Sequence, residues 1–186
     1  MKTPSLGYTD NFPNRQMWQE IANEFHGEFR ISHDTGGELE IHNTLIPYER
    51  WEIRISVSDS RPLKFQVNFA ASQEFDLVMS WEDTVGKVLK VFQKPEVTLG
   101  WKEFDNKYLI KTNRSDLTKD ILTRSIQETI LKYNIYSISY QTDKKARTAE
   151  LISVIQRGTR NKEMVTELIA MHTVLINNLV KSRVIN

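Results

Sequence analysis

The chain has 186 residues, of which 39% are hydrophobic and 26% charged, and its net charge is +1. This composition is typical of a globular protein and excludes a disordered chain or a strongly nucleic-acid-binding domain. The chain has no cysteine, so disulfides, thiolate nucleophiles and cysteine zinc sites are excluded. Because no apolar run is long enough for a membrane span and the first residues lack a signal-peptide pattern, we expect a cytoplasmic protein.

The first predicted elements are a loose polar arm over residues 1–12 and a helix from Pro13 to His26. Asn11 or Asp10 can cap this helix, and proline suits its first turn. Gly27 ends it. Its buried stripe follows helical spacing and comprises Met17, Trp18, Ile21, Ala22 and Phe25.

A hairpin is predicted from two short alternating runs, Glu28–His33 and Glu38–His42. The favoured register sets Ile31 opposite Ile41, with all apolar residues on one face. Under this register His33 and His42 lie on opposite faces and cannot share a metal ion.

The strongest pattern runs from residue 50 to residue 81, where apolar and polar residues alternate in three segments. We predict a three-stranded antiparallel meander that buries one face. Its register sets Arg54 opposite Gln66 and Glu52 opposite Asn68. The other face carries Glu52, Arg54, Ser56, Lys64, Gln66, Asn68 and Asp76.

The second half of the chain predicts a mixture of helices and strands. A short helix is predicted over Thr84–Lys94, followed by strands at Val97–Trp101 and Phe104–Thr112. The next predicted element is a helix that Ser115 or Asp116 caps and that ends at about Lys132. A hairpin of Ile135–Tyr140 and Ala149–Gln156, ambiguous in register, leads to a terminal helix of about 20 residues capped by Asn161.

The fold class is therefore α+β: an antiparallel sheet packed on one face by helices, in a single domain over residues 13–186 that could divide near residue 95.

The segment Val97–Asn113 resembles one found in uncharacterised bacterial proteins with a domain of unknown function. In those proteins a β-meander and a short helix precede the phrase Gly-x3-Phe-Asp-x2-aromatic-x-Ile/Val-Lys-Ser/Thr-Asn/Asp. The matching residues here are Gly100, Phe104, Asp105, Tyr108, Ile110, Lys111, Thr112 and Asn113. The resemblance covers roughly residues 45–180; it implies the same architecture and no established activity. Where the relatives often carry Asp or Asn after the glycine, this chain has Lys102 and Glu103.

Signatures of catalysis are absent from the sequence. No glycine-rich nucleotide loop, nucleophile elbow or paired-histidine zinc motif is present. Of the four histidines, His26, His33, His42 and His172, the last lies on an apolar helical stripe, where a hydrogen-bonded core role is expected. We therefore expect no catalytic residue, metal or cofactor.

Four residues are candidates for a binding site. Arg54, Gln66 and Asn68 mix guanidinium and amide groups on the polar sheet face. Asp105 is singled out by its motif, although capping or a turn hydrogen bond is the preferred explanation of this residue. The basic loop Lys144–Arg147, with Arg157, Arg160 and Lys162 at the other end of its hairpin, could bind phosphate or only remain solvated.

Three functions remain open from the sequence. The first is a non-enzymatic protein acting through an interaction surface, the second a small-ligand binder with an apolar pocket between sheet and helices, and the third, ranked last, an enzyme. The terminal helix has an apolar sector wider than one sheet face can cover, with Ile169, Ile176 and Val180 left over. The Ser115–Lys132 helix could cover them; otherwise a second copy would, and we expect a homodimer.

Overall fold

The computed structural model describes residues 12–33, 40–81, 95–155 and 159–186. Those residues form an antiparallel sheet and helices, which confirms the α+β class. The strands are β1 (Glu28–His33), β2 (Glu40–Tyr48), β3 (Trp51–Val57), β4 (Leu63–Ala70), β5 (Leu77–Trp81), β6 (Tyr108–Thr112), β7 (Ile135–Asp143) and β8 (Thr148–Ile155). The helices are α1 (Phe12–Glu24), α2 (Lys102–Asp105), α3 (Ser115–Ile121), α4 (Arg124–Lys132) and α5 (Lys162–Lys181).

The strand order in the sheet is β1-β2-β3-β4-β8-β7-β5-β6. The predicted pairing of Arg54 with Gln66 is confirmed, whereas Glu52 and Asn68 lie outside the β3–β4 ladder. The predicted three-stranded meander is wrong in its third strand, because β4 pairs with β8 and β5 pairs with β6 and β7. Alternation of apolar and polar residues identifies the buried face of a strand but carries no information about which strand lies beside it.

The predicted register of the first hairpin is wrong by one residue. Ile31 faces His42, and Phe29 faces Thr44. The second strand continues to Tyr48, and its pairing with β3 sets His42 opposite Val57 on the buried side of the sheet. His33 therefore lies on the same face as His42, contrary to the expectation from sequence.

Helix α1 buries the predicted stripe, with Met17, Trp18, Ile21 and Ala22 in the core. It packs against β1 and β2. Gly27, which follows it, is closely approached by β2: a Cβ at this position would lie 2.2 Å from the carbonyl oxygen of Leu45. The glycine allows the chain to turn from α1 into β1 while remaining in contact with its neighbouring strand.

Between β5 and β6 the chain differs from the prediction. The expected helix Thr84–Lys94 falls within residues 82–94, which lie outside the described residues. The expected strand Val97–Trp101 is absent from the described chain, and only Glu96 forms a bridge, with Lys111. The strand expected from Phe104 begins instead at Tyr108, because residues 102–105 form the short helix α2, which buries Phe104.

The helix predicted from Ser115 to Lys132 is interrupted. Helix α3 ends at Ile121, Leu122 leaves helical geometry with φ −89° and ψ 63°, and α4 begins at Arg124. Side-chain amides stabilise the break: Asn178 donates to the carbonyl of Ile121 at 3.1 Å, and Gln127 donates to that of Leu122 at 2.7 Å. Neither predicted capping residue caps α3, whose N-cap position is Arg114 without a side-chain hydrogen bond.

The carboxy-terminal elements agree with the prediction. Strands β7 and β8 form the expected hairpin, with an irregularity between Ile135 and Ser137. Helix α5 spans 20 residues, and the Asn161 side chain accepts a hydrogen bond from the Met164 amide at 3.0 Å. Its extra apolar residues Ile169 and Ile176 are buried within the chain, where α5 packs on α3 and α4.

Strands and helices share one apolar core. This core contains the inward-facing residues of β3 and β4, such as Ile53 and Phe65, together with Trp18 of α1 and Leu168 of α5. Packing of every helix on a single face stays a prediction. Among the described residues, no helix has both the length and the apolar character required to cross a membrane.

Candidate functional site

Two candidate residues on the polar sheet face, Arg54 and Gln66, make side-chain hydrogen bonds within the sheet. Gln66 donates to Glu150 at 2.5 Å and accepts from Lys64 at 2.8 Å, whereas Arg54 donates to Glu52 at 2.8 Å. Arg54 and Gln66 are direct neighbours across β3 and β4. Much of their hydrogen-bonding capacity is therefore used within the sheet.

Asn68 lies farther along β4, opposite Glu150 of β8, and its side chain is exposed. It borders an open groove of about 880 Å³ at one end of β4, β7 and β8. The groove also includes Gln141, Lys144 and Lys145, so its surface is polar and partly basic. The arrangement is a shallow surface depression rather than an enclosed pocket.

Asp105 is remote from the other three candidates. Its carboxylate accepts hydrogen bonds from the amides of Leu99 at 2.8 Å and Gly100 at 2.9 Å. Gly100 has a φ of +90°, which favours glycine. Strands β8, β7 and β5 separate the neighbouring β6 from β4. Asp105 thus makes the turn hydrogen bonds that were the preferred explanation of its motif.

A more enclosed site, the α1 recess, lies between α1 and the ends of β2 and β3. Its volume is about 210 Å³. Spacing in the sequence does not identify this recess, because its walls come from four separate parts of the chain. The lining residues are Asn14, Trp18, Glu40, His42, Val57, Ser58, Asp59, Thr159 and Arg160.

The charged centre of the recess is Glu40, whose side chain is only 10% exposed. Arg15 donates to both carboxylate oxygens, from Nε to Oε1 at 2.8 Å and from a terminal nitrogen to Oε2. These hydrogen bonds lower the pKa of Glu40 to about 2, opposed by burial and assisted by His42. Glu40 is therefore a fixed carboxylate that is already neutralised by an arginine.

His42 is buried beside this carboxylate. Its Nε2 lies 2.5 Å from Oε1 of Glu40, and its ring contacts Phe29 edge to face at a centroid distance of 5.6 Å. A carboxylate can only accept, so Nε2 donates in this hydrogen bond. Among the described residues, no group of three or more metal-ligating side chains is present.

One polar atom in the wall of the recess lacks a partner among the described residues. Oδ1 of Asn14 is buried from solvent and accepts no hydrogen bond from them. Because burying an amide oxygen without a donor costs free energy, such an atom indicates a place where a ligand or water can donate. The one local signal in the sequence is the spacing of Glu40 and His42, which places them on the same face of a strand.

Two other sequence candidates have structural roles. His172 is fully buried and contacts Ser153 and the carbonyl of Leu168, as expected of a hydrogen-bonded core histidine. In the basic loop, Lys144 pairs with Glu74 at 2.8 Å. Lys162 pairs with Glu24 at 3.1 Å, and Arg157 lies outside the described residues.

Comparison with known proteins identifies a shared fold. No protein-family model and no curated protein matches the chain. Among solved structures, the chain is similar to the crystal structure of the mycobacterial trehalose monomycolate transport factor A, TtfA, with a TM-score of 0.62. The match covers 96% of this chain and 98% of that one at 9% sequence identity, a level that shows the common fold alone.

Proposed function

We propose that this protein is a non-enzymatic binding protein that holds a small polar molecule in the α1 recess. The observation that carries the proposal is the buried, unpartnered Oδ1 of Asn14 in the same recess as the fixed Glu40–His42 pair. The recess lies between α1 and the sheet, and its lining is mainly polar, so it differs from the apolar pocket between sheet and helices that was expected from the sequence.

The size of the recess limits the ligand. Its 210 Å³ corresponds to the volume of about seven water molecules. Pockets for drug-sized ligands have volumes of roughly 300–1,000 Å³. The ligand is therefore a small metabolite rather than a nucleotide or a lipid chain.

The lining groups indicate its chemistry. Arg15 already neutralises Glu40, so this carboxylate is not an open cation site. Arg160 is exposed at the rim and makes no ion pair with another described residue, which makes its guanidinium available to an anionic group. Oδ1 of Asn14 can accept a hydrogen bond from a donor on the ligand, such as a hydroxyl or an ammonium group. We infer a ligand that carries an anionic group at one end and a hydrogen-bond donor at the other.

Binding is favoured over catalysis because the recess does not join a nucleophile to a base. The Ser58 hydroxyl accepts from the Arg61 amide at 3.1 Å and contacts Ser60 at 3.4 Å, rather than pairing with His42. Hydroxyl nucleophiles in acyl transfer depend on a hydrogen bond to their base. The fold shared with TtfA, which is described as a transport factor, also supports a role other than catalysis.

The proposal is tested by a thermal-shift screen of the full chain against small hydroxy acids, amino acids and sugar acids, followed by calorimetric titration of each hit. Asn14→Leu and Arg160→Gln should each weaken binding about tenfold or more, since each removes a polar partner. Asn23→Leu is the matched control, because Asn23 lies on the exposed side of the same helix and its side chain accepts a hydrogen bond from Gln19 rather than lining the recess. Equal affinity in Asn14→Leu and the control, turnover of a bound compound, or no hit among compounds with both groups would contradict the proposal.

A further inference from the structure

The two edge strands of the sheet, β1 and β6, differ in whether another described segment hydrogen-bonds to their outer side. Beside the edge strand β6, the Val97 amide donates to the carbonyl of Ile110 at 3.0 Å, and the Thr112 amide donates to that of Pro95 at 3.3 Å. Residues 95–97 thus cover that edge. At the other edge, no described segment pairs with the outer side of β1. A free edge presents a row of unpaired amide and carbonyl groups that can pair with another strand.

Strand β1 is also unusually accessible. All of its residues except Phe29 are exposed, and the Ile31 side chain, on the buried side of the sheet, is 40% exposed. Helix α1 therefore leaves Ile31 uncovered, although it packs on the same strand. An apolar residue on a free edge strand is the usual feature of a site for strand addition.

We propose that β1 is a self-association surface, at which two copies of the chain pair antiparallel through β1 with Ile31 at the centre. In this register Ile31 faces its own counterpart, Phe29 faces His33, and Arg30 faces Ser32. Within residues 29–33, every facing pair has at least one uncharged side chain. The result is one continuous sheet made from two eight-stranded sheets.

The alternative registers are less favourable. A twofold axis perpendicular to the sheet keeps the buried faces on the same side, so only registers centred on a residue are allowed. Centring the pair on Arg30 sets two guanidinium groups directly opposite each other, which is destabilising. Centring it on Phe29 or on Ser32 pairs only three residues of β1, 28–30 or 31–33. In the Ile31 register the two Arg30 side chains are diagonal neighbours, and each is paired with Glu28 of its own strand at 2.6 Å.

This surface differs from the one that the sequence suggested for a homodimer. Of the three extra apolar residues of α5, Ile169 and Ile176 are buried within the chain and need no second copy, whereas Val180 is 37% exposed. Association through β1 needs no change in that core. It also does not depend on any ligand in the α1 recess.

Single-cysteine variants test the register directly, because the chain has no cysteine of its own. At the twofold centre two Cα atoms are about 4.5–5.5 Å apart, within the range of a disulfide. Ile31→Cys should therefore cross-link its two copies in oxidised glutathione. Ser32→Cys is the matched control, because its two copies are diagonal neighbours about 7–8 Å apart, where a disulfide does not form without backbone movement.

Sedimentation equilibrium of the wild-type chain completes the test. We expect a mass that rises toward the dimer across micromolar concentrations, and Ile31→Lys should weaken the dimer about tenfold or more, since it sets two ammonium groups opposite each other. A monomeric mass at every concentration would overturn the proposal. So would cross-linking of Ser32→Cys, or of Val174→Cys on the exposed face of α5, at the rate of Ile31→Cys.

Discussion

His172 lies face to face with Phe65, with ring centroids 4.4 Å apart and an angle of 11° between the planes. Phe65 is paired with Ser153 across β4 and β8, so the imidazole covers both members of one cross-strand pair. Its Nδ1 donates to the carbonyl of Leu168 at 2.6 Å, and its Nε2 accepts from the Ser153 hydroxyl at 2.9 Å. The neutral ring thus satisfies both nitrogens and joins α5 to the centre of the sheet.

Stability should depend on pH through this histidine. Burial lowers the pKa of His172 from 6.5 to about 4, although the Leu168 hydrogen bond acts in the opposite direction. Below about pH 6.5 the unfolded chain therefore binds a proton that the folded chain does not, and the free energy of unfolding should fall by up to about 3 kcal/mol as the pH falls to 4. Urea unfolding across this range measures the slope.

The matched variant for that prediction is His172→Gln, which lacks the titrating group. It should be less stable than wild type at neutral pH but should show a shallower pH slope. Glu40 does not obscure the result: its lowered pKa places its contribution between about pH 4.5 and 2, where stability is lost as the carboxylate is protonated. An unchanged slope in His172→Gln would contradict the prediction.

Local patterns in the sequence predict the buried faces of single elements. The alternation of β3 and β4 correctly identifies Ile53, Ile55 and Phe65 as core residues and Arg54 with Gln66 as neighbours. It fails for the neighbour of β4, because the contact between Phe65 and Ser153 joins strands far apart in the chain. The register of β1 and β2 fails for a similar reason: contacts with β3 and α1 determine it, rather than the hairpin alone.

The candidate site is less predictable than the fold. Glu40 and His42 are neighbours on one face of β2, and their spacing is visible in the sequence. Asn14 and Arg160 reach the same recess only because α1 and the residues before α5 pack at one end of β2. A local pattern carries no information about such long-range contacts, so spacing can indicate Glu40 with His42 but not the recess that they share with Asn14 and Arg160.

Alanine substitutions at Gly27 and Gly100 distinguish two causes of instability, a steric clash of the new Cβ and strain of a positive φ. Gly27→Ala should destabilise the protein by about 3 kcal/mol, because the new Cβ would collide with the Leu45 carbonyl and the backbone must move. Gly100→Ala should cost about 1 kcal/mol, since its Cβ meets open space and only the positive φ is strained. Urea unfolding of both variants gives the comparison, and the reverse order of the two losses would refute the steric explanation.

Asp105 should prove to be a structural residue. Asp105→Ala leaves the amides of Leu99 and Gly100 without their acceptor and should reduce the free energy of unfolding by about 1–2 kcal/mol. Asp105→Asn keeps one acceptor oxygen and should lose less. Ligand affinity at the α1 recess should be unchanged in both variants. Wild-type stability in Asp105→Ala would instead favour the binding role considered from the sequence.

The last prediction concerns the apolar sector of α5, whose residues differ in burial. Ile176 is fully buried within the chain, whereas Val180 is 37% exposed. Ile176→Ala should therefore destabilise the protein by about 3 kcal/mol, through lost burial and a cavity. Val180→Ala should change stability by about 0.5 kcal/mol or less. Because burial within one chain does not depend on association, the loss in Ile176→Ala should be the same at low and high protein concentration. A loss in Val180→Ala that grows with concentration would show that a second copy covers this helix after all.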